Sequence, residues 1–89
     1  MTGFDWCVAF RESGDGTNLS NGVDLGWFQF LPSTYAYVLD QLQAHGTDTE
    51  GWDRDPLTAP VVEQVAAFNY YEPIDPGAWP LTVPACGGP

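Results

Sequence analysis

Apolar and polar positions recur with a helical period at the start of the chain. The side chains that fall three or four positions apart are Phe4, Cys7, Val8 and Arg11. Thr2 stands before this stretch and Asp5 follows three residues later, which is the pattern of a helix-capping box, and Gly14 offers a natural end. We therefore predict a first helix over residues 2–13.

The following segment changes from turn-forming residues to an aromatic run. Residues 14–24 are rich in Gly, Asn, Asp, Ser and Thr, and the pair Asn21-Gly22 is the strongest hairpin signal in the chain. Residues 26–31 are apolar and aromatic except for Gln29. We expect a short β-ribbon in this part of the chain.

Two further helices are predicted after the aromatic run. The residues "PST" at positions 32–34 are typical of a helix start, and we expect a second helix to about residue 44, ended by Gly46. Its inner face is expected to consist of Tyr35, Val38, Leu39 and Leu42. Thr58 is expected to cap a third helix that reaches about Tyr71. The buried side of that helix is expected to consist of Val61, Val62, Val65, Ala66, Phe68 and Asn69.

The remaining segments are expected to be irregular. Residues 46–57 are polar and acidic with a lone Trp52, which indicates a surface loop. The spacing of their acidic residues departs from that of calcium-binding loops, and the terminal Glu of such loops is missing, so we expect no metal site. Residues 72–89 contain too much Pro and Gly for a regular element, and Trp79 and Cys86 are expected to pin this tail.

Length and charge narrow the classes of protein to which the chain can belong. Its 89 residues suffice for one domain, residues 1–89, and an apolar fraction of 44% favours a packed core over disorder. The formal net charge of -10 disfavours nucleic acids and anionic membranes as partners. No segment approaches the roughly 20 apolar residues of a membrane span, and the first residues lack the pattern of a signal peptide.

The two cysteines, Cys7 and Cys86, lie near opposite ends of the chain. A bridge between them would close a loop of nearly the whole domain and stabilise it by on the order of 4 kcal/mol in the chain-entropy treatment. Two separate buried thiols are the alternative, whereas a metal site is disfavoured because the only histidine is the distant His45. A bridge would indicate an oxidising compartment.

Glu12 is the acidic residue with the most informative position. It lies four residues after Val8 and eight after Phe4, which places it on the shoulder of the apolar face of the first helix. Apolar neighbours disfavour the charged form of a carboxyl group, and this suits a general acid. An ordinary helix-end carboxylate is the alternative, although a negative charge is unfavourable at the C-terminal end of a helix.

Two separated motifs resemble the lysozyme superfamily. The residues "ESG" at 12–14, followed by "GWFQFLPSTY" at 26–35, are similar to the signature of lytic transglycosylases. The residues "GAWPLTVPAC" at 77–86 are similar to the end of resuscitation-promoting factor domains. The resemblance implies that the chain is a divergent member of this superfamily, encoded by a host or by a phage. It also implies a small lysozyme-like α+β fold that is predominantly helical, with about three helices, a short β-ribbon and a disulfide-tied irregular tail.

The activity implied by the resemblance is cleavage of the β-1,4 bond between N-acetylmuramic acid and N-acetylglucosamine in peptidoglycan. Glu12 would protonate the bridging oxygen, and the sugar would be captured by its own 6-hydroxyl group or by water. Asp24 is the candidate for a second carboxylate, with a structural role beside the turn as its alternative, and Asp15 is a weaker candidate. If neither takes part, a mechanism with one carboxylate is expected. No metal or organic cofactor is implied.

Further polar and aromatic residues are candidates for binding the glycan. Gln29 would hydrogen-bond to sugar groups or, alternatively, to the backbone of the preceding loop. Trp27 and Tyr35 would stack on saccharide rings, with core packing as the alternative, and Thr34 would orient a sugar or cap its helix. Asn69 on the third helix would line the far wall of the cleft.

These expectations together describe a monomer that acts on peptidoglycan glycan strands. It would be secreted to the cell wall or extracellular space, or belong to a virion or a phage lysin. The rival class is a non-catalytic glycan-binding or structural module that retains the lysozyme-like fold. Loss of cleavage on replacing Glu12 would separate the two classes.

Overall fold

The computed structural model describes residues 1–14 and 16–88, and nearly half of these residues are helical. In this part of the chain the helices are α1 (Gly3–Ser13), α2 (Pro32–Ala44), α3 (Val61–Tyr71), a short 3-10 helix (Pro76–Ala78) and α4 (Thr82–Ala85). None of these helices is long and apolar enough to cross a membrane. The weaker carboxylate candidate, Asp15, lies outside the described residues.

Helix α1 forms as its local sequence predicts. The backbone N–H of Asp5 donates to Oγ1 of Thr2 at 3.1 Å, and the N–H of Thr2 donates to the Asp5 carboxylate at 3.0 Å. These two bonds close the predicted capping box and satisfy donors that the first turn would otherwise leave unpaired. Gly14 ends the helix in the left-handed conformation, at φ 60°.

The expected β-ribbon is reduced to two isolated antiparallel bridges, Ser20 with Leu25 and Leu25 with Phe30. A side chain competes with strand pairing here, because Oδ1 of Asn21 accepts a hydrogen bond from the N–H of Asp24 at 2.7 Å. The described residues contain no β-strand beyond these two bridges. The chain is therefore helical in class, and the β part of the expected α+β fold is limited to these bridges.

Helix α2 buries the side chains that the sequence predicts for its inner face, namely Tyr35, Val38, Leu39 and Leu42. Helix α3 packs against α2, and Phe68 of α3 stacks on Phe28 with ring centroids 4.4 Å apart. The ring of Trp79 meets Phe68 edge-on at 4.9 Å, and its Nε1 donates to the carbonyl oxygen of Phe28 at 2.7 Å. These aromatic contacts bring distant segments of the chain into one core.

The start of α3 differs from the prediction. The helix begins at Val61 instead of following directly on Thr58. Thr58 lies two residues before the N-cap of α3 and does not cap it, and its Oγ1 donates to the carboxylate of Asp53 at 2.6 Å. The preceding Pro60 takes the N-cap position without a side-chain hydrogen bond.

The buried face of α3 also differs from the prediction. The side chains that this helix buries are those of Gln64, Ala67 and Phe68. Three predicted to be buried are exposed, namely Val61, Val62 and Asn69. Gln64 can be buried because its Oε1 accepts from the N–H of Trp27 and its Nε2 donates to the carbonyl oxygen of Ala59, each at 2.8 Å. Periodicity could not reveal these two partners, since they come from other parts of the fold.

The C-terminal tail is more regular than expected. It contains the 3-10 helix and α4, and the side chain of Val83 in α4 is fully buried. The disulfide between Cys7 and Cys86 is present, with a Cα–Cα distance of 5.8 Å, and it joins α1 to the C-cap residue of α4. Of the two alternatives for the cysteines, the structure shows the bridge.

Candidate functional site

Glu12 lies in the last turn of α1 and is half-buried. Oγ1 of Thr82, the first residue of α4, donates a hydrogen bond to Oε2 of Glu12, and Thr82 is itself buried. Arg11 is exposed and forms no ion pair with Glu12, since the ion pair found among the described residues joins Arg54 to Asp40. A neutral hydroxyl group, rather than a cation, therefore holds the Glu12 carboxyl group.

A cavity of about 230 Å³ opens between the segment that precedes α2 and the end of α3. Its polar side chains are those of Asp24, Gln29, Thr34, Tyr71 and Asp75. Phe30 and Trp79 add aromatic surface. The structure thus brings together three of the residues predicted for the site, Asp24, Gln29 and Thr34. The described cavity wall contains two carboxylates and no basic side chain.

Gln29 has an unusual backbone conformation in this wall. Its φ is 55°, and it is the only residue other than glycine with a positive φ in the described part of the chain. Its Nε2 donates to the carbonyl oxygen of Gly26 at 2.6 Å, so the amide folds back onto its own turn. This bond resembles the predicted backbone alternative, but the acceptor is Gly26 instead of the earlier loop. A non-glycine residue kept in the left-handed region is a feature that often accompanies binding sites.

Asp24 and Asp75 are the two carboxylates of the cavity wall. Oδ2 of Asp24 accepts a hydrogen bond from Nδ2 of Asn21 at 3.3 Å, in keeping with a role beside the turn. Oη of Tyr71 donates to Oδ2 of Asp75 at 3.1 Å. Partial burial, together with this bond and the negative charge of Asp75, raises the pKa of Tyr71 above its ordinary value.

Tyr71 and Asp75 were not among the sequence-predicted site residues. Their spacing of four residues would have been the one available signal, because a helical turn brings such positions together. That signal is weak here, since α3 ends at Tyr71 and the prediction treats the following tail as irregular. The backbone N–H of Asp75 nevertheless donates to the carbonyl oxygen of Tyr71 at 2.9 Å, which continues the helical geometry by one turn.

The other residues proposed to bind glycan lie outside the cavity wall. Tyr35 is completely buried in the core, and its hydroxyl group has no hydrogen-bond partner among the described residues. Trp27 packs edge-on against the exposed Trp6, with ring centroids 6.3 Å apart. Asn69 is exposed on α3. The structure therefore places these three side chains in separate environments.

Glu12 also lies outside the cavity wall, but a short segment connects the two. Trp79 belongs to the wall, and its carbonyl oxygen accepts from the N–H of Val83 at 3.1 Å. Thr82, which bonds to Glu12, thus follows within one turn of the cavity wall. Residues 79–82 thus connect, along the chain, the cavity wall to the residue that bonds to Glu12.

Comparison with known proteins finds no matching protein-family model, no matching curated protein and no matching solved structure. Within the described residues there is also no cluster of three or more His, Cys, Asp or Glu side chains arranged to hold a metal ion.

Proposed function

We propose that this protein is a peptidoglycan-cleaving glycosidase of the lysozyme or lytic transglycosylase type, with Glu12 as general acid and base. The observation that carries the proposal is the half-buried Glu12 carboxyl group, bonded to Thr82 and linked through residues 79–82 to a polar and aromatic cavity. The motifs at 12–14, 26–35 and 77–86 support the same assignment through their resemblance to the lysozyme superfamily. A divergent lysozyme-like fold is part of the proposal.

The cavity offers the two kinds of contact that a sugar requires. Saccharide rings have apolar faces that pack on aromatic side chains, and their hydroxyl and acetamido groups need hydrogen-bond partners. Trp79 and Phe30, which are 3% and 2% exposed, give the wall a small apolar area, while Asp24, Gln29 and Thr34 add polar groups. A neutral glycan suits this mixture better than a phosphate or a nucleic acid, because the wall contains carboxylates.

In the proposed reaction, protonated Glu12 transfers its proton to the bridging oxygen while the bond from that oxygen to C1 of the muramic acid breaks. The 6-hydroxyl oxygen of the same sugar then bonds to C1 and passes its proton to the Glu12 carboxylate, which restores the acid. In the lysozyme-type alternative, water supplies the oxygen and the proton. Asp24 would stabilise the positive charge that develops on the sugar ring.

The decisive test is Glu12→Gln, assayed on purified peptidoglycan. The amide retains the shape of the side chain but cannot transfer the proton, so we expect cleavage to fall by about a hundredfold or more. Glu50→Gln is the matched control, because Glu50 is exposed in the middle loop and should leave cleavage unchanged. Equal cleavage by the wild-type protein and Glu12→Gln would contradict the role of Glu12.

The products distinguish the two chemical outcomes. Capture by the 6-hydroxyl group gives anhydro-muramyl ends, which are lighter than the hydrolysis products by one water, and mass spectrometry separates them. Asp24→Asn in the same assay measures whether the second carboxylate contributes. A loss much smaller than that of Glu12→Gln would support a mechanism with one carboxylate.

A non-catalytic glycan-binding or structural module is the second candidate. The observation that favours it is the position of Glu12 outside the cavity wall. In that case the wild-type protein would bind glycan strands without shortening them, and Glu12→Gln would bind equally well. Either function suits a monomer in the cell wall, outside the cell or in a virion or lysin, and the Cys7–Cys86 disulfide is consistent with such oxidising surroundings.

A further inference from the structure

The surroundings of Glu12 raise the question of what orients its carboxyl group. The residue lies in the last turn of α1, where the helix dipole makes a negative charge unfavourable. Its neighbour Arg11 does not pair with it. The side-chain hydrogen bond that Glu12 makes within the described part of the chain comes from Thr82, a residue 70 positions away.

Thr82 is held firmly at this point. It is 8% exposed, and it opens α4 beside the fully buried Val83. The N–H of Cys86 donates to the carbonyl oxygen of Thr82 at 3.0 Å, and the sulfur of Cys86 is bonded to Cys7 of α1. The disulfide and the Thr82–Glu12 hydrogen bond therefore join the same two helices about one turn apart. This arrangement limits the movement of the Thr82 hydroxyl group relative to Glu12.

We propose that Thr82 is a positioning residue for Glu12, binding Oε2 and leaving Oε1 to exchange the proton with the glycan. The inference rests on the proposed glycosidase function. A hydroxyl group suits both halves of the reaction, because Oε2 accepts the Thr82 hydrogen bond whether Oε1 carries the proton or has released it. The carboxyl group would then keep one orientation as it changes from acid to base.

The test compares Thr82→Val, which replaces the hydroxyl group by a methyl group, with Thr82→Ser, which retains it. Initial rates are measured on soluble glycan strands of alternating N-acetylglucosamine and N-acetylmuramic acid. For Thr82→Val we expect kcat to fall by about tenfold to a hundredfold with KM within about twofold of wild type, since misplacing a catalytic group slows the chemical step. Thr82→Ser should restore most of kcat. Thr47→Val, an exposed position in the middle loop, is the matched control and should retain wild-type rates.

A spectroscopic readout accompanies the rates. The carboxyl carbon of Glu12 is identified by nuclear magnetic resonance as the signal that is missing in Glu12→Gln. We expect this signal to move in Thr82→Val and to stay close to its wild-type position in Thr82→Ser. Circular dichroism checks that each variant is folded, and Thr82→Ala takes the place of Thr82→Val if the buried methyl group prevents folding.

The outcomes separate this inference from the function on which it rests. If wild type cleaves, Glu12→Gln does not, and Thr82→Val has a wild-type kcat and an unmoved Glu12 signal, the positioning role alone is overturned. If wild type and Glu12→Gln leave the glycan equally intact, the proposed activity and the positioning role are both overturned. A fall in kcat that Thr82→Ser does not restore would assign the effect to packing and also overturn the positioning role.

Discussion

The α1–α4 pair and the α2–α3 pair are held together in different ways. Helix α4 has only four residues, too few for a stable helix alone, and it is joined to α1 by the disulfide and by the hydrogen bond between Thr82 and Glu12. Helices α2 and α3 have 13 and 11 residues and pack through apolar side chains of one core. The short α4 buries Val83 in the same core, and the disulfide and the hydrogen bond add specific cross-links to that burial.

This difference matters for the proposed function because Glu12 lies in the cross-linked pair. The cavity, in contrast, takes Tyr71 from α3 and Thr34 from α2, and the rest of its wall comes from residues 24–31 and 75–79. Breaking the cross-links should disturb the orientation of Glu12 more than the shape of the cavity. Changes within the packed pair should lower the free energy of unfolding with less effect on the orientation of Glu12.

The largest expected effect on stability comes from removing the disulfide with the double substitution Cys7→Ser and Cys86→Ser. The bridge spans 79 positions, so its loss should lower the free energy of unfolding by on the order of 4 kcal/mol. Urea titration followed by circular dichroism measures this change. Wild-type protein in a reducing agent should match the double variant, and the double variant should not respond to the reducing agent. A loss below about 1 kcal/mol would show that packing alone holds α4.

A smaller effect is expected from Gln64→Leu in the packed pair. Gln64 is 1% exposed, and leucine would leave the N–H of Trp27 and the carbonyl oxygen of Ala59 without partners. Unpaired polar groups of this kind should lower the free energy of unfolding by about 2–3 kcal/mol. Gln41→Leu on α2 is the control, and it should change the free energy by less than about 0.5 kcal/mol. Equal effects of the two substitutions in urea titrations would contradict the role assigned to Gln64.

The smallest effect at neutral pH is expected from Tyr35→Phe, which removes a buried hydroxyl group that has no partner in the described residues. Loss of such a group should change the free energy of unfolding by less than about 1 kcal/mol at pH 7. Burial, and then the negative charges of Glu63 and Asp53, raise the pKa of Tyr35 above its ordinary value of 10.0. The variant should therefore differ from wild type mainly in alkaline solution.

The sign of that difference follows from the two states of the protein. As the pH rises above 10, Tyr35 in the unfolded chain releases its proton while the folded protein retains it, so the free energy of unfolding falls. In Tyr35→Phe the free energy of unfolding should not show this part of the decrease. Urea titrations between pH 8 and about pH 11 measure it. Tyr37→Phe is the control at an exposed position and should follow wild type. An equally steep fall in Tyr35→Phe would exclude the buried hydroxyl group as its source.

Local patterns predicted the helices well where short-range physics decides the outcome. The capping box of α1, its end at Gly14 and the inner face of α2 all depend on residues within four positions of one another, and all are confirmed. The same patterns were wrong for the buried face of α3, because Gln64 is buried through bonds to Trp27 and Ala59. They also missed α4, which is too short to show a period and which the disulfide holds in place.

The candidate site likewise combines residues that the sequence predicts with a contact that only the fold creates. The sequence by itself singled out Glu12 from its helical position, and it also identified Asp24, Gln29 and Thr34, which meet in one cavity. The tertiary structure alone placed Thr82 against Glu12. A helix period and a capping box arise from bonds between near neighbours, whereas contacts across 70 positions depend on the path of the whole chain, which no local pattern encodes.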